Sequence, residues 1–131
     1  MLKLIKNKEK TAVGVSNAPA PARARESEKV LEARLVQGVK QRGGLSVKLT
    51  SQFHKGLPDR LVLLPFRTVC FVELKSTGKT RTRLQELAGE QLEALGFRVF
   101  VIDSSEQLYD FFFRMDRRIR KINSFIEEDG Q

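Results

Sequence analysis

Apolar positions in this chain follow two periods, one helical and one alternating, separated by short polar or glycine-bearing stretches. From about Glu26, the residues Val30, Leu31, Leu35, Val36 and Val39 recur at helical spacing, and the run stops at Gly43-Gly44. Leu45, Val47 and Leu49 then alternate with Ser46 and Lys48, which predicts a short strand. After the polar loop 50–56 and Leu57-Pro58-Asp59, two further strands are expected at Arg60–Leu64 and Thr68–Lys75, joined tightly at Pro65-Phe66-Arg67. A glycine turn at Gly78 precedes a helix that opens on Thr82-x-x-Gln85, the pattern of a capping box. That helix carries Leu84, Leu87, Leu92 and Leu95 and stops at Gly96. Phe97–Ile102 reads as a fourth strand, and Ser104 or Ser105 opens a last helix with Leu108, Phe111, Phe112, Met115 and Ile119. The expected order is α-β-β-β-α-β-α, a mixed sheet flanked by helices, without internal repeat.

The segment before this pattern, residues 1–25, is rich first in Lys and then in Ala and Pro, with no apolar period. It reads as a flexible basic arm, with docking on a partner subunit as the alternative. The folded domain is expected over residues 26–125, with 126–131 as a tail.

Charge changes the picture more than size does. The chain has 131 residues, enough for one domain with a real core. Its 24 Lys and Arg outnumber 16 Asp and Glu, a net charge of +8 that suits a polyanionic partner, nucleic acid or an acidic membrane surface, with a merely soluble basic protein as the even alternative. The single cysteine, Cys70, lies in an apolar run and reads as a buried thiol. With His54 the only histidine, Cys/His zinc sites are excluded and a Ser-His-Asp triad is disfavoured. No stretch could span a bilayer and no signal peptide opens the chain, so a cytoplasmic location without membrane attachment is expected.

The candidate chemistry lies on the central hairpin. Residues two apart in a strand share a face, so Glu73 and Lys75 project together while Leu74 turns into the core. Asp59, where the preceding antiparallel strand begins, comes beside Glu73. Glu-x-Lys alone is usually a structural ion pair. Preceded by Gly-x-Pro-Asp, it becomes two carboxylates and an ammonium converging on rigid backbone. Such a set suits phosphodiester hydrolysis by a metal-activated water. Mg²⁺ (or Mn²⁺) needs only one or two carboxylates besides waters and a phosphate oxygen, and the Leu74 main-chain carbonyl is placed as a further ligand. Lys75 would stabilise charge developing on the phosphate.

Gly43-Gly44, Gly56-Leu57-Pro58-Asp59-Arg60-Leu61-Val62-Leu63-Leu64, Phe71-Val72-Glu73-Leu74-Lys75, Gly78-Lys79 and Leu84-Gln85 stand in one order over about residues 27–110. Together they resemble the VRR-NUC family in its stand-alone phage and bacterial form. That family belongs to the PD-(D/E)XK nuclease superfamily and is similar in layout to archaeal Holliday junction resolvases. The resemblance implies a restriction-endonuclease-like α/β fold and a metal-dependent, structure-specific DNA endonuclease. It further implies an acidic residue on the first helix, best matched by Glu32, with Glu28 one turn earlier as the alternative. Gln85 matches the glutamine that orients the site, and could equally cap Thr82. Ser51 and Lys55 are candidates for gripping a phosphate, against a solvated loop. His54 departs from the glycine- and arginine-rich loop of the family and is not assigned a catalytic role.

Lys79, Arg81 and Arg83 after the catalytic strand read as DNA phosphate contacts. The basic run Arg114, Arg117, Arg118, Arg120 and Lys121 reads either as further contacts or as a solvated face. No reading helix and no Trp suggest base readout, so recognition of DNA shape, and hence branched duplex, is expected. The relatives imply a homodimeric Holliday junction resolvase. Phe111, Phe112 and Phe113 cannot all face one core, which leaves part of the run for a twin subunit. A flap endonuclease or nickase of the same fold, and a non-catalytic module binding branched DNA, are the alternatives.

Overall fold

The computed structural model describes residues 24–50 and 54–130. The first helix, α1 (Glu28–Gln41), begins where the Ser27 hydroxyl accepts the Val30 N–H, the usual satisfaction of an orphan first-turn donor. It ends at Gly43, whose φ of 74° lies in the left-handed region that other residues enter at a cost. The strands β1 (Leu45–Lys48), β2 (Arg60–Leu64), β3 (Thr68–Leu74) and β4 (Arg98–Ile102) form one sheet in that spatial order. The first three pair antiparallel. β4 pairs parallel to β3 after a crossover through α2 (Arg83–Ala94), and α3 (Ser105–Asp129) closes the chain. The expected α-β-β-β-α-β-α order is the observed one, a four-stranded mixed sheet with three flanking helices.

Alternation along the strands decides where the core lies. Val62, Leu64, Cys70, Val72 and Leu74 share one face of β2 and β3 and, with Ile102, pack on Leu31, Leu35 and Val39 of α1 and Leu108, Phe111 and Met115 of α3. Burial pushes the Cys70 thiol up to about 12, so it is an inert core group. The triple phenylalanine is divided by helix geometry. Phe111 is in the core, edge-on to Phe100, and Phe113 is exposed. Phe112 lies over Gly38, where a Cβ would come within 2.2 Å of the ring, and its other side takes the Arg42 guanidinium at 4.1 Å.

Two elements depart from what periodicity suggests. On α2 the buried residues are Ala88 and Gly89, while Leu84, Leu87 and Leu95 are exposed. At the tip of the β2–β3 hairpin, Phe66 and Arg67 both have a φ of 58°, the turn sense that matches strand twist but that usually calls for Asn-Gly. Each costs about 1 kcal/mol in that conformation. The last helix is also longer than the sheet. At 1.5 Å per residue its 25 residues extend about 37 Å, against about 23 Å for the seven of β3. It continues to Asp129, through most of the segment expected as a tail. Among the described residues no helix is long and apolar enough to cross a membrane. Of the expected arm, residues 1–23 lie outside the described residues.

Just before α1, the chain is tied to the far side of the fold. Glu26 accepts the Ser105 N–H at 2.7 Å and the Ser105 hydroxyl, and pairs with Arg34 at 3.1 Å. The hydrogen bonds from Ser105 hold its carboxyl below the usual carboxylate range. Its backbone exchanges hydrogen bonds with Thr77, which follows β3. The start of α1, the start of α3 and the exit of β3 are thereby joined at one end of the sheet.

Candidate active site

At that end of the sheet the register brings two carboxylates together. Arg60 pairs with Val72, and continuing the antiparallel register by one residue puts Asp59 opposite Glu73. Asp59 follows the buried Pro58, and its Oδ2 accepts the Leu74 N–H at 2.7 Å. A side chain thus satisfies a backbone donor at the point where the β2 ladder has ended. The same bond fixes the Asp59 carboxylate against the β3 backbone.

Glu73 is the unusual group. It is only 1% exposed, on the face opposite Leu74, and its Oε1 has no hydrogen-bond partner. Burial is the main cause of a carboxyl pKa above the usual glutamate range. The Lys75 and Arg81 charges oppose that rise, and the Asp59 and Glu28 charges add to it. An unpartnered carboxylate oxygen costs free energy in the folded state, and a cation would remove that cost. Among the described residues no three His, Cys, Asp or Glu side chains converge as a ready metal cage. Mg²⁺ does not require one, because it keeps several waters and uses one or two carboxylates. The donor set therefore fits a hard divalent cation.

The two acidic residues on α1 have different surroundings. Glu32 receives Arg60 at 2.8 Å, with Lys48 at 3.9 Å, so its charge is already balanced across the sheet. Glu28, one turn earlier and exposed, is the α1 acid whose charge acts on Glu73.

Of the other expected residues, Arg81 comes close. Its Nη1 lies 2.8 Å from where a Cβ would stand on Gly89, and its charge acts on Glu73. A glycine inside α2 costs about 1 kcal/mol relative to alanine, and here it makes room for that arginine. The Gln85 side chain accepts the Thr82 N–H at 2.9 Å while its own N–H donates to the Thr82 hydroxyl, completing the expected capping box. Lys55 is exposed in the turn that leads to Gly56. Gly56, with φ at 87°, presses on the first turn of α2, where a Cβ would fall 2.4 Å from the Leu84 carbonyl oxygen. Lys79 and Arg83 are exposed, and Arg83 pairs with Glu86 at 3.2 Å. Ser51 lies outside the described residues. Sequence reasoning missed the Glu26–Ser105–Thr77 tie and the seat of Arg81. A glycine inside the helical run at Leu87-Ala88-Gly89 was the one available sign of the second.

No family model matches the chain. A phage protein is 40% identical over 79 residues, a stretch covering 60% of this chain and 85% of the relative; it is named "Putative nuclease p44", from Acyrthosiphon pisum secondary endosymbiont phage 1. A solved structure described as a VRR_NUC domain matches 78% of this chain and 97% of its own, with a TM-score of 0.56 and 24% identity. The chain belongs to the family of that phage nuclease, and it shares the fold of the VRR_NUC domain.

Proposed function

We propose that this VRR-NUC nuclease is a divalent-metal-dependent DNA endonuclease that cuts branched duplexes as a homodimer, resolving four-way junctions. The observation that carries the reading is the buried, unpartnered Glu73 Oε1 beside Asp59. Asp59, Glu73 and the Leu74 main-chain carbonyl would hold Mg²⁺ or Mn²⁺. When bound, the cation supplies Lewis acidity at the phosphodiester and a water acidic enough to lose its proton near neutral pH. Lys75 stabilises negative charge growing on the phosphoryl oxygens, and Arg81, whose charge also acts on Glu73, adds a second positive charge. Lys55, Ser51, Lys79 and Arg83 hold the flanking phosphates, an affinity without base preference. Gln85 holds the start of α2, and so the seat of the Gly56 loop. For the second copy, α2 offers an apolar surface. Leu95 lines a groove of about 400 Å³ with Leu57 and Leu92, and Leu84, Leu87 and Phe97 are exposed nearby.

The test is cleavage of a labelled four-way junction, a 5′ flap and plain duplex, with Mg²⁺, Mn²⁺ or chelator. Paired symmetric cuts near the branch point, lost with chelator, are expected. Flap cutting alone would keep the metal centre and overturn junction resolution, and binding without any cutting would leave a non-catalytic module.

We place Glu28, rather than Glu32, as the α1 acid that serves the cation, acting through its water shell. Glu28→Gln is then expected to raise the metal concentration needed for half-maximal cleavage by about 10–100-fold, the usual effect of losing a group behind the direct ligands. Glu32→Gln should leave that requirement unchanged and lower the melting temperature slightly by stranding Arg60. Metal titrations of the two variants showing the reverse ranking would return the role to Glu32.

A further inference from the structure

The cleavage centre leaves unused a run of five basic residues on α3. Arg114, Arg117, Arg118, Arg120 and Lys121 are exposed and line a concavity of about 450 Å³. At 3.6 residues per turn, Arg114, Arg117, Arg118 and Lys121 fall within an arc of about 100°, so they form one stripe along the helix. An ordinary solvated face mixes acids among its bases. Here Asp116, the one acid within the run, is turned away and held by Arg42 at 2.7 Å and 3.0 Å. Arg114 has an exposed partner in Asp110 at 3.1 Å, but among the described residues the other four make no ion pair.

The stripe is continued from a second element. Arg98, exposed at the start of β4, lies with Arg118 near Cys70, on which both charges act. Cys70 pairs with Arg98 in the sheet, so this cluster sits where β3 begins, whereas the carboxylates sit where it ends. At about 3.3 Å per residue, the three steps from Cys70 to Glu73 separate the two regions along the strand by about 10 Å. Like charges gathered this closely repel one another unless a polyanion neutralises them. The predominance of arginine suits phosphate, whose oxygens match the guanidinium fork.

We propose that the α3 stripe, continued by Arg98, is a second nucleic-acid contact that grips the phosphate backbone of a duplex segment outside the one being cut. Its link to cleavage rests on the nuclease reading, and its binding role does not. A contact made to phosphate oxygens carries no base preference, and it distinguishes substrates by the length of duplex they offer.

The test replaces Arg114, Arg117, Arg118 and Lys121 with Gln in the full chain and measures DNA binding with chelator across a salt series. Each phosphate that the protein no longer neutralises lowers the slope of log K against log salt by about 0.9, so a decrease of about 3 to 4 is expected on long duplex. On duplex too short to reach the stripe, binding should be unchanged. With Mg²⁺, KM for a long-armed substrate should rise with kcat retained. Replacing the three arginines with Lys keeps the charge and should restore the slope, which separates loss of charge from damage to the fold. An unaltered salt slope in the Gln variant would overturn the proposal. So would an equal loss on short and long duplex, which would place the stripe in the cleavage groove. Loss of binding to anionic phospholipid vesicles with DNA binding intact would overturn it in favour of a membrane contact. If the wild type cuts nothing yet shows the stripe-dependent slope, the second contact stands and the cleavage reading falls.

Discussion

Asp59→Asn is expected to lower DNA cleavage by about a thousandfold or more while leaving the melting temperature nearly unchanged. The size follows from removing one of two carboxylates that would hold the cation, where charge stabilisation at the reacting phosphate is concentrated. Stability is spared because the asparagine oxygen can still accept the Leu74 N–H that Asp59 Oδ2 accepts at 2.7 Å. Asp59→Ala removes charge and acceptor together. It should be equally inactive and also less stable by about 1–3 kcal/mol, the cost of a buried donor left unpaired. Cleavage rates and thermal melts of the two variants decide the matter. Substantial cleavage by either would remove Asp59 from the metal centre, and equal melting temperatures for the two would deny its structural role.

Glu73→Gln should have the opposite effect on stability, with the same loss of cleavage. Burial raises the Glu73 carboxyl pKa above its ordinary value of 4.5. Between the ordinary and the raised pKa, the unfolded chain has lost this proton and the folded chain still holds it. The folded state therefore loses stability as pH rises through that window, and regains it as pH falls. The glutamine variant, always neutral, should lack this decline and melt above the metal-free wild type at pH 8. A domain of this size gains about 4 °C per kcal/mol. Mg²⁺ should raise the melting temperature of the wild type more than that of the variant, which keeps Asp59 but has lost the second carboxylate. Cation binding should correspondingly strengthen as pH rises and Glu73 ionises. A variant that melts below the wild type in chelator would mean that Glu73 is satisfied within the folded chain. The site is thus held at a cost in stability, a common relation where function requires a buried charge.

The hairpin was the most legible part of the chain. Strict alternation in β3 separates Glu73 and Lys75 from Leu74, and Pro58 marks where Asp59 emerges, so local periodicity brings the two candidate carboxylates together. The choice between Glu28 and Glu32 was not legible, since both lie on one helical face. What separates them is Arg60, which reaches Glu32 across the sheet from 28 positions away in sequence. The leucines of α2 suggested a core-facing stripe. The helix instead buries Ala88 and Gly89, small residues that allow close approach, and periodicity counts apolar groups without registering how near two backbones lie. The tight turn at Pro65-Phe66-Arg67 was legible but its left-handed backbone was not, because that sense is imposed by strand twist and not by residues that prefer it.

That turn has an evolutionary consequence. The three residues between Leu64 and Thr68 set which residue of β2 faces which residue of β3, and so determine that Asp59 meets Glu73. Because side chains alternate between faces, inserting or deleting one residue anywhere from Arg60 to Val72 would break the pairing, and a one-residue slip of β3 would point Glu73 into the core and Leu74 outward. Every catalytic residue would still be present in such a descendant. Lineages of this nuclease can therefore exchange Phe66 and Arg67 for residues such as Asn, Asp or Gly that enter this backbone region readily, but the hairpin should remain invariant in length.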